Sequence, residues 1–286
     1  MRSMPSCKPS AKRPCRITLL LILLTLQAAC TTLPPPEARL AQARQLAQAQ
    51  HWQAQQLATS PFALTAFLPQ GHGQTQRLSV YIEGDGLAWL SPTTPARDPS
   101  PSDPTALRLA LAQPEGQAAY LARPCQYRLS SQPNCQTPLW TGARFSEAVI
   151  TASDQALDQL KQHYGAEQLI LIGYSGGAAV AALLAMRRDD VALLVSVAGN
   201  LDHRRWTAHH RITPLHGSLN PADDPDALAA LPQRHLVGAR DSVIPPTLFQ
   251  HLPNETVHIE GPFDHHCCWA EHWPRLWQTH IAPLLH

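Results

Sequence analysis

Between the apolar run Gln168–Ile172 (QLILI) and the alanine-rich run 178–188 (AAVAALLAMRR), the chain places Gly173-Tyr174-Ser175-Gly176-Gly177. An apolar run of this kind reads as a central strand buried on both faces, and the alanine-rich run as a helix. To reverse direction between them at Ser175, the chain needs small residues two places before and two after. Only then can strand and helix close together. Such a turn holds the serine hydroxyl out at its tip. A helix beginning at Gly176 also points its first unpaired N–H groups, and the positive end of its dipole, toward that hydroxyl.

The surrounding pattern extends this reading. Strands are expected at Trp52–Thr59, Phe62–Leu68, Arg77–Ile82, Ala118–Arg123, Gln168–Gly173, Ala192–Ala198, Arg234–Gly238 and Glu255–Glu260. Helices are expected at Phe145–His163, Gly176–Arg188 and Trp269–Ile281, with shorter ones at Pro104–Ala112 and Asp226–Leu231. A strand pair followed by repeated strand–helix units predicts a mostly parallel, eight-stranded α/β sheet with helices on both faces. Leu90–Asp103 is rich in Pro and Ser and reads as an irregular surface loop. Asp202–Pro232, between the sixth and seventh strands, reads as a small cap insertion, a place where lids and binding walls are common. No internal repeat is visible.

At 286 residues the chain is long enough for one large core, with 44% apolar and 15% charged residues. Its net charge of +1 conceals an uneven distribution, because Arg2, Lys8, Lys12, Arg13 and Arg16 all precede residue 30. Removing those five from 22 basic residues leaves 17 against 21 acidic ones, a net of −4 with Lys161 as the one remaining lysine. That body has no electrostatic footprint for nucleic acid. The basic leader runs into Ile17–Leu26 (ITLLLILLTL) and then Gln27-Ala28-Ala29-Cys30, the layout of a secretory signal. The apolar run is too short to span a membrane as a helix. We therefore expect a signal peptide over 1–29, a tether with a leading helix over 30–50, and the folded domain over 51–286. Along Glu37–Gln50 the expected packing face carries Leu40, Ala43 and Leu46. Besides Cys30, four cysteines follow the leader, Cys125, Cys135, Cys267 and Cys268, and in an exported domain they favour disulfides. Cys125–Cys135, flanking a polar loop, is the simplest pair.

A serine hydroxyl is a poor nucleophile until a base takes its proton, so an acid and a histidine are sought downstream of Ser175. Asp241 directly follows the strand RHLVG and is the first choice of acid, with Asp202, just past the sixth strand, as the runner-up. His265 and His266 both lie after the last strand and before the final helix, and either is a candidate base. Successive loop residues point in different directions, so only one of them reaches Ser175. The quartet His265-His266-Cys267-Cys268 also invites a zinc reading, but four consecutive ligands diverge rather than converge tetrahedrally. His203, His209, His210 and His216 meet the same scepticism, and neither metal nor organic cofactor is expected. An oxyanion hole is expected from the backbone N–H of Gly176 with that of Asp85 or Gly86, in the loop Glu83-Gly84-Asp85-Gly86. A carboxylate there would oppose a developing oxyanion. Asp85 is therefore expected either to turn into a structural hydrogen bond or to meet a positive group on substrate.

With Gly173–Gly177, Asp241 and a late histidine in this order, the chain from about Gln50 onward resembles the α/β-hydrolase superfamily. The segments YIEGDG, RPCQY, GYSGG, VAGNLDH, GSLNPAD and HHCCW more narrowly resemble a group of bacterial exported hydrolase-like lipoproteins. In that group the ending reads His-x-Cys-Cys-Trp, which maps its histidine onto His265. Ala29-Cys30 resembles a lipobox, with Gln27 where Leu is usual. The resemblance implies an α/β-hydrolase fold, a Ser175–Asp241–His265 triad and acyl transfer, first on a small-molecule or lipid ester. It also implies a membrane anchor through lipid on Cys30 and a place in the bacterial envelope, facing the periplasm. A peptidase or amidase, or a non-catalytic binding scaffold on the same fold, are the alternatives, because this fold hosts many chemistries.

Overall fold

The computed structural model describes residues 33–71 and 73–285. The expected leader and Cys30 lie outside these residues. Eight strands form one sheet: β1 (Trp52–Leu57), β2 (Leu64–Pro69), β3 (Arg77–Ile82), β4 (Gln117–Leu121), β5 (Gln168–Tyr174), β6 (Val191–Val197), β7 (Gln233–Gly238) and β8 (Val257–Glu260). Their spatial order is β1-β2-β4-β3-β5-β6-β7-β8. β2 pairs antiparallel with both β1 and β4, and every pairing from β4 through β8 is parallel. The last strand starts later than its sequence suggests, because Asn254–Thr256 form a 3₁₀ turn.

The period-two alternation of the central strands divides the core into two layers. Leu78, Val80 and Ile82 of β3, with Leu169 and Leu171 of β5, face α3 (Glu147–Tyr164) and α4 (Gly176–Ala185). Tyr81, Ile170 and Ile172 face the other way. That layer also holds Ala43 and Ala47 of α1 (Pro36–Gln48), Leu107 and Leu109 of α2 (Thr105–Leu111), and Trp269 and Trp273 of α7 (Trp269–Leu276). Every residue of α4 is buried, as expected of a helix apolar all round that sits against the sheet directly behind the serine turn.

Three expectations need correction. Of the expected α1 face, Ala43 is buried and Leu40 is half-buried against the same core, but full burial extends to Arg39 and Ala47 rather than to Leu46. Alanine permits close packing, and Arg39 is tolerated inside because its guanidinium donates to the carbonyls of Asp98 and Ser100 and pairs with the Asp98 carboxylate. Leu90–Asp103 is not simply an irregular surface loop. Trp89–Ser91 pairs with Thr94–Pro95 as an exposed ribbon, and the stretch beyond it carries buried Asp98 and Ser100. Asp98 and Ser100 find partners inside the protein, with Ser100 N–H donating to Asp98 Oδ1 and Tyr127 N–H to Ser100 Oγ at 2.9 and 2.7 Å. Finally, the terminal helix does not run unbroken to Ile281. Pro274 has no N–H to give, and the chain widens into a π turn over Trp277–Ile281.

The insertion between β6 and β7 folds as α5 (His203–His210), a 3₁₀ turn at Pro221–Asp223 and α6 (Pro225–Ala229). Cys125 and Cys135 are joined by a disulfide with Cα atoms 5.5 Å apart. Cys267 and Cys268 form a second, vicinal bridge that the sequence reading did not foresee.

Candidate active site

The turn between β5 and α4 puts Ser175 at φ 51°, ψ −122°, backbone that costs a non-glycine residue about 1–3 kcal/mol. Its neighbours hold it there. Ser175 N–H donates to the carbonyl of Val197, and the Ser175 carbonyl accepts from Ala178 and Asn200. The closeness of strand and helix explains the glycines. A Cβ on Gly173 would lie 2.4 Å from Ala178 Cα, and one on Gly177 would lie 2.3 Å from the Ile82 carbonyl oxygen. No side chain fits at either place.

Asp241 follows β7 in a turn that accepts two backbone N–H groups on one oxygen, those of Val243 and Ile244, at 2.8 and 2.7 Å from Oδ1. Its other oxygen, Oδ2, lies 2.8 Å from His265 Nδ1. His265 Nε2 in turn lies 3.0 Å from Ser175 Oγ. The loop carrying His265 is tied from three sides. Tyr174 Oη donates to the His265 carbonyl at 2.9 Å, Asp264 Oδ1 accepts from the N–H groups of His266 and Cys267, and Trp269 Nε1 donates to the Asp264 carbonyl. His266 points elsewhere, with Nδ1 3.3 Å from Tyr174 Oη. Asp202 caps α5, accepting from the N–H groups of Arg204 and Arg205 and from Asn220 Nδ2. The structure therefore brings Ser175, His265 and Asp241 together and leaves Asp202 and His266 in other contacts.

Ser175 and His265 open on a cavity of about 500 Å³. Leu87, Ala88, Trp89, Trp206 and Val243 give it an apolar wall, and Gly84, Asp85, Gly86 and Arg144 also line it. The backbone N–H groups of Asp85 and Gly86 have no hydrogen-bond acceptor among the described residues, and Gly176 opens α4, where no carbonyl four residues back is in helical position. Asp85 resolves its own awkwardness: Arg123 Nη1 lies 3.3 Å from Oδ1, and Arg144 Nη1 donates to Oδ2. Burial works to raise this carboxyl, but the Arg144 and Arg123 guanidiniums outweigh it and hold its pKa below the ordinary range. The carboxylate rests on Gly176, with Oδ1 2.1 Å from where a Cβ would stand. Two residues before Asp85, Glu83 is 1% exposed. It accepts from Gly84 N–H, Ala106 N–H and Tyr120 Oη, and burial pushes its pKa up to about 7.

The sequence reading missed Arg123 and Arg144 and the tie from Tyr174. The arginines are 38 and 59 residues from Asp85, so no local pattern signals them. Tyr174 lies within the serine motif itself but bonds to a residue 91 positions away.

No protein-family model matches the chain, and no curated protein does. Solved structures are similar over most of its length. An esterase from Pyrococcus furiosus is 13% identical, with 82% of this chain and 91% of that one covered and a TM-score of 0.55. An alpha-beta serine hydrolase homologue from Coxiella burnetii is 14% identical, with 81% and 97% covered and a TM-score of 0.54. A bacterial membrane phospholipase A is 14% identical, with 88% and 93% covered and a TM-score of 0.52. Strand order, serine turn and structural neighbours agree: this chain has the α/β-hydrolase fold.

Proposed function

We propose that the protein is a serine hydrolase that cleaves a carboxylic ester through an acyl-enzyme on Ser175. The observation that carries the reading is the unbroken contact from Asp241 Oδ2 through the His265 ring to Ser175 Oγ, at 2.8 and 3.0 Å. His265 Nε2 takes the Ser175 proton as Oγ attacks the carbonyl carbon, and the proton passes to the departing alkoxide as the ester C–O bond breaks. Water then repeats the sequence on the acyl-enzyme, releasing the acid and restoring the Ser175 hydroxyl. Asp241 holds the Nδ1–H tautomer and stabilises the imidazolium that forms in each half. The free N–H of Gly176, with that of Asp85 or Gly86, stabilises the oxyanion. An esterase and a phospholipase among proteins of the same fold suit an ester substrate.

A fluorophosphonate probe tests this. Stoichiometric labelling of the wild-type chain, none of Ser175→Ala, and loss of short-chain ester hydrolysis in that variant are expected. A folded wild-type protein inert to the probe and to esters, thioesters and amides would instead favour a binding scaffold on a retired hydrolase fold.

The proposal extends to place. The basic and apolar leader ending at Ala29-Cys30 supports export to the bacterial envelope with lipid on Cys30. Mass spectrometry of the envelope protein should find a chain that starts at a lipidated Cys30. An unmodified cysteine there removes the anchor.

A further inference from the structure

The wall beside Ser175 contains more buried positive charge than the oxyanion loop needs. Arg123 and Arg144 are each 5% exposed and share one carboxylate, Asp85. Arg123 is committed internally, its Nη2 donating to the Arg144 carbonyl and its ring-side neighbour being Phe145, 5.2 Å from the guanidinium carbon. Glu83 is the other carboxyl within electrostatic reach of Arg123, and burial pushes its pKa up to about 7. Arg144 is only partly used. Its Nε donates to the Thr141 carbonyl at 2.7 Å and its Nη1 to Asp85, while its plane lies over the Trp206 ring at 6.0 Å. Its Nη2 has no acceptor among the described residues, is not among the buried unpaired atoms, and belongs to a side chain that lines the cavity. The remaining acid on that wall, Asp103, is held by Arg108 at 2.5 Å.

An arginine fixed on two of its three nitrogens, beside an aromatic ring and without a partner on the third is a preorganised oxyanion receptor. We infer that Arg144 binds a carboxylate or phosphate group carried by the substrate, so that the cleft selects anionic esters over neutral ones. Asp85, its carboxylate resting on Gly176, acts here as a positioning residue that holds the guanidinium through Nη1 and leaves Nη2 for the substrate anion. The apolar wall of Trp206 and Val243 then takes the chain between the anionic group and the scissile carbonyl. This inference rests on the serine-hydrolase reading for the orientation of substrate.

Calorimetric titration of the Ser175→Ala chain measures recognition without turnover, so it is separate from phosphonate labelling of the wild type, which tests the chemistry. The probes are mono-4-nitrophenyl glutarate and its neutral methyl ester, with a second pair in which a phosphonate replaces the carboxylate. A charge-assisted bond in this setting predicts that one anionic member binds on the order of 10- to 100-fold more tightly than its neutral partner, and the stronger pair identifies the oxyanion. Adding Arg144→Gln should abolish the difference, and Arg144→Lys should restore part of it. Equal binding of both members of both pairs overturns the proposal, as does a preference that survives Arg144→Gln. The first of these outcomes needs no Arg144 variant, so it stands even if that substitution fails to fold.

Discussion

Replacing His265 by Ala should lower kcat on a short-chain ester by on the order of 10³-fold or more, whereas His266→Ala should change it by no more than a few-fold. The difference follows from placement. His265 reaches Ser175 Oγ with one nitrogen and Asp241 with the other, while the His266 ring bonds to the Tyr174 hydroxyl instead. Asp241→Asn should be at least as damaging, for a reason of tautomer. The substituted amide keeps an oxygen for the Val243 and Ile244 N–H groups, so its nitrogen faces His265 Nδ1. That ring nitrogen must then accept, which moves the ring proton to Nε2 and leaves no lone pair to receive the Ser175 proton. Asp202→Asn retains an α5 cap and should leave turnover close to wild type. Steady-state kinetics on the four variants decides the matter. A larger loss for His266→Ala than for His265→Ala, or for Asp202→Asn than for Asp241→Asn, contradicts the assignment.

The second large effect concerns stability. Glu83 rises from an ordinary 4.5 to about 7 in the folded chain, chiefly by burial. Between those two pH values the unfolded chain has released this proton and the folded chain has kept it, so raising the pH through the window destabilises the fold. The contribution is fully present below pH 4.5 and is lost by about pH 7, a change of up to about 3 kcal/mol at 1.36 kcal/mol per pH unit. Glu83→Gln imitates the protonated form. Its oxygen still accepts from Gly84 and Ala106, and its amide can donate to Tyr120 Oη in place of accepting from it. Denaturation across pH 4 to 8 should therefore show the variant gaining on the wild type as pH rises to about 7, then holding a constant lead. Parallel curves over that range rule out the raised carboxyl.

Much of this protein is written locally in its chain. The alternation of apolar runs with helical ones specified eight strands and their order of appearance, because side-chain period and turn chemistry act over a few residues. The serine turn was legible for the same reason. Gly173 and Gly177 are needed where strand, helix and loop backbones meet at distances no Cβ survives, so the motif records a tertiary contact in a five-residue window. The order of a serine, an acid after one strand and a histidine after another narrowed the site to two acids and two histidines.

Tertiary structure made the remaining choices. That His265 and not His266 lies beside Ser175 Oγ follows from a loop pinned by Tyr174, Asp264 and Trp269, whose bonds join positions up to 91 residues apart. The burial of Arg39 on α1 escaped the sequence because hydrophobicity favours Leu over Arg, while the packed chain offered Arg39 the carbonyls of Asp98 and Ser100. The burial of that segment was hidden by its polar composition, since internal hydrogen bonds substitute for water only once the partners have assembled. Asp85 is the clearest case. Its sequence position suggested a carboxylate opposing catalysis, and only the folded chain supplies Arg123 and Arg144, from 38 and 59 residues away, to answer its charge. Electrostatic partnership depends on distance in space, and the order of residues along the chain carries almost no information about that distance.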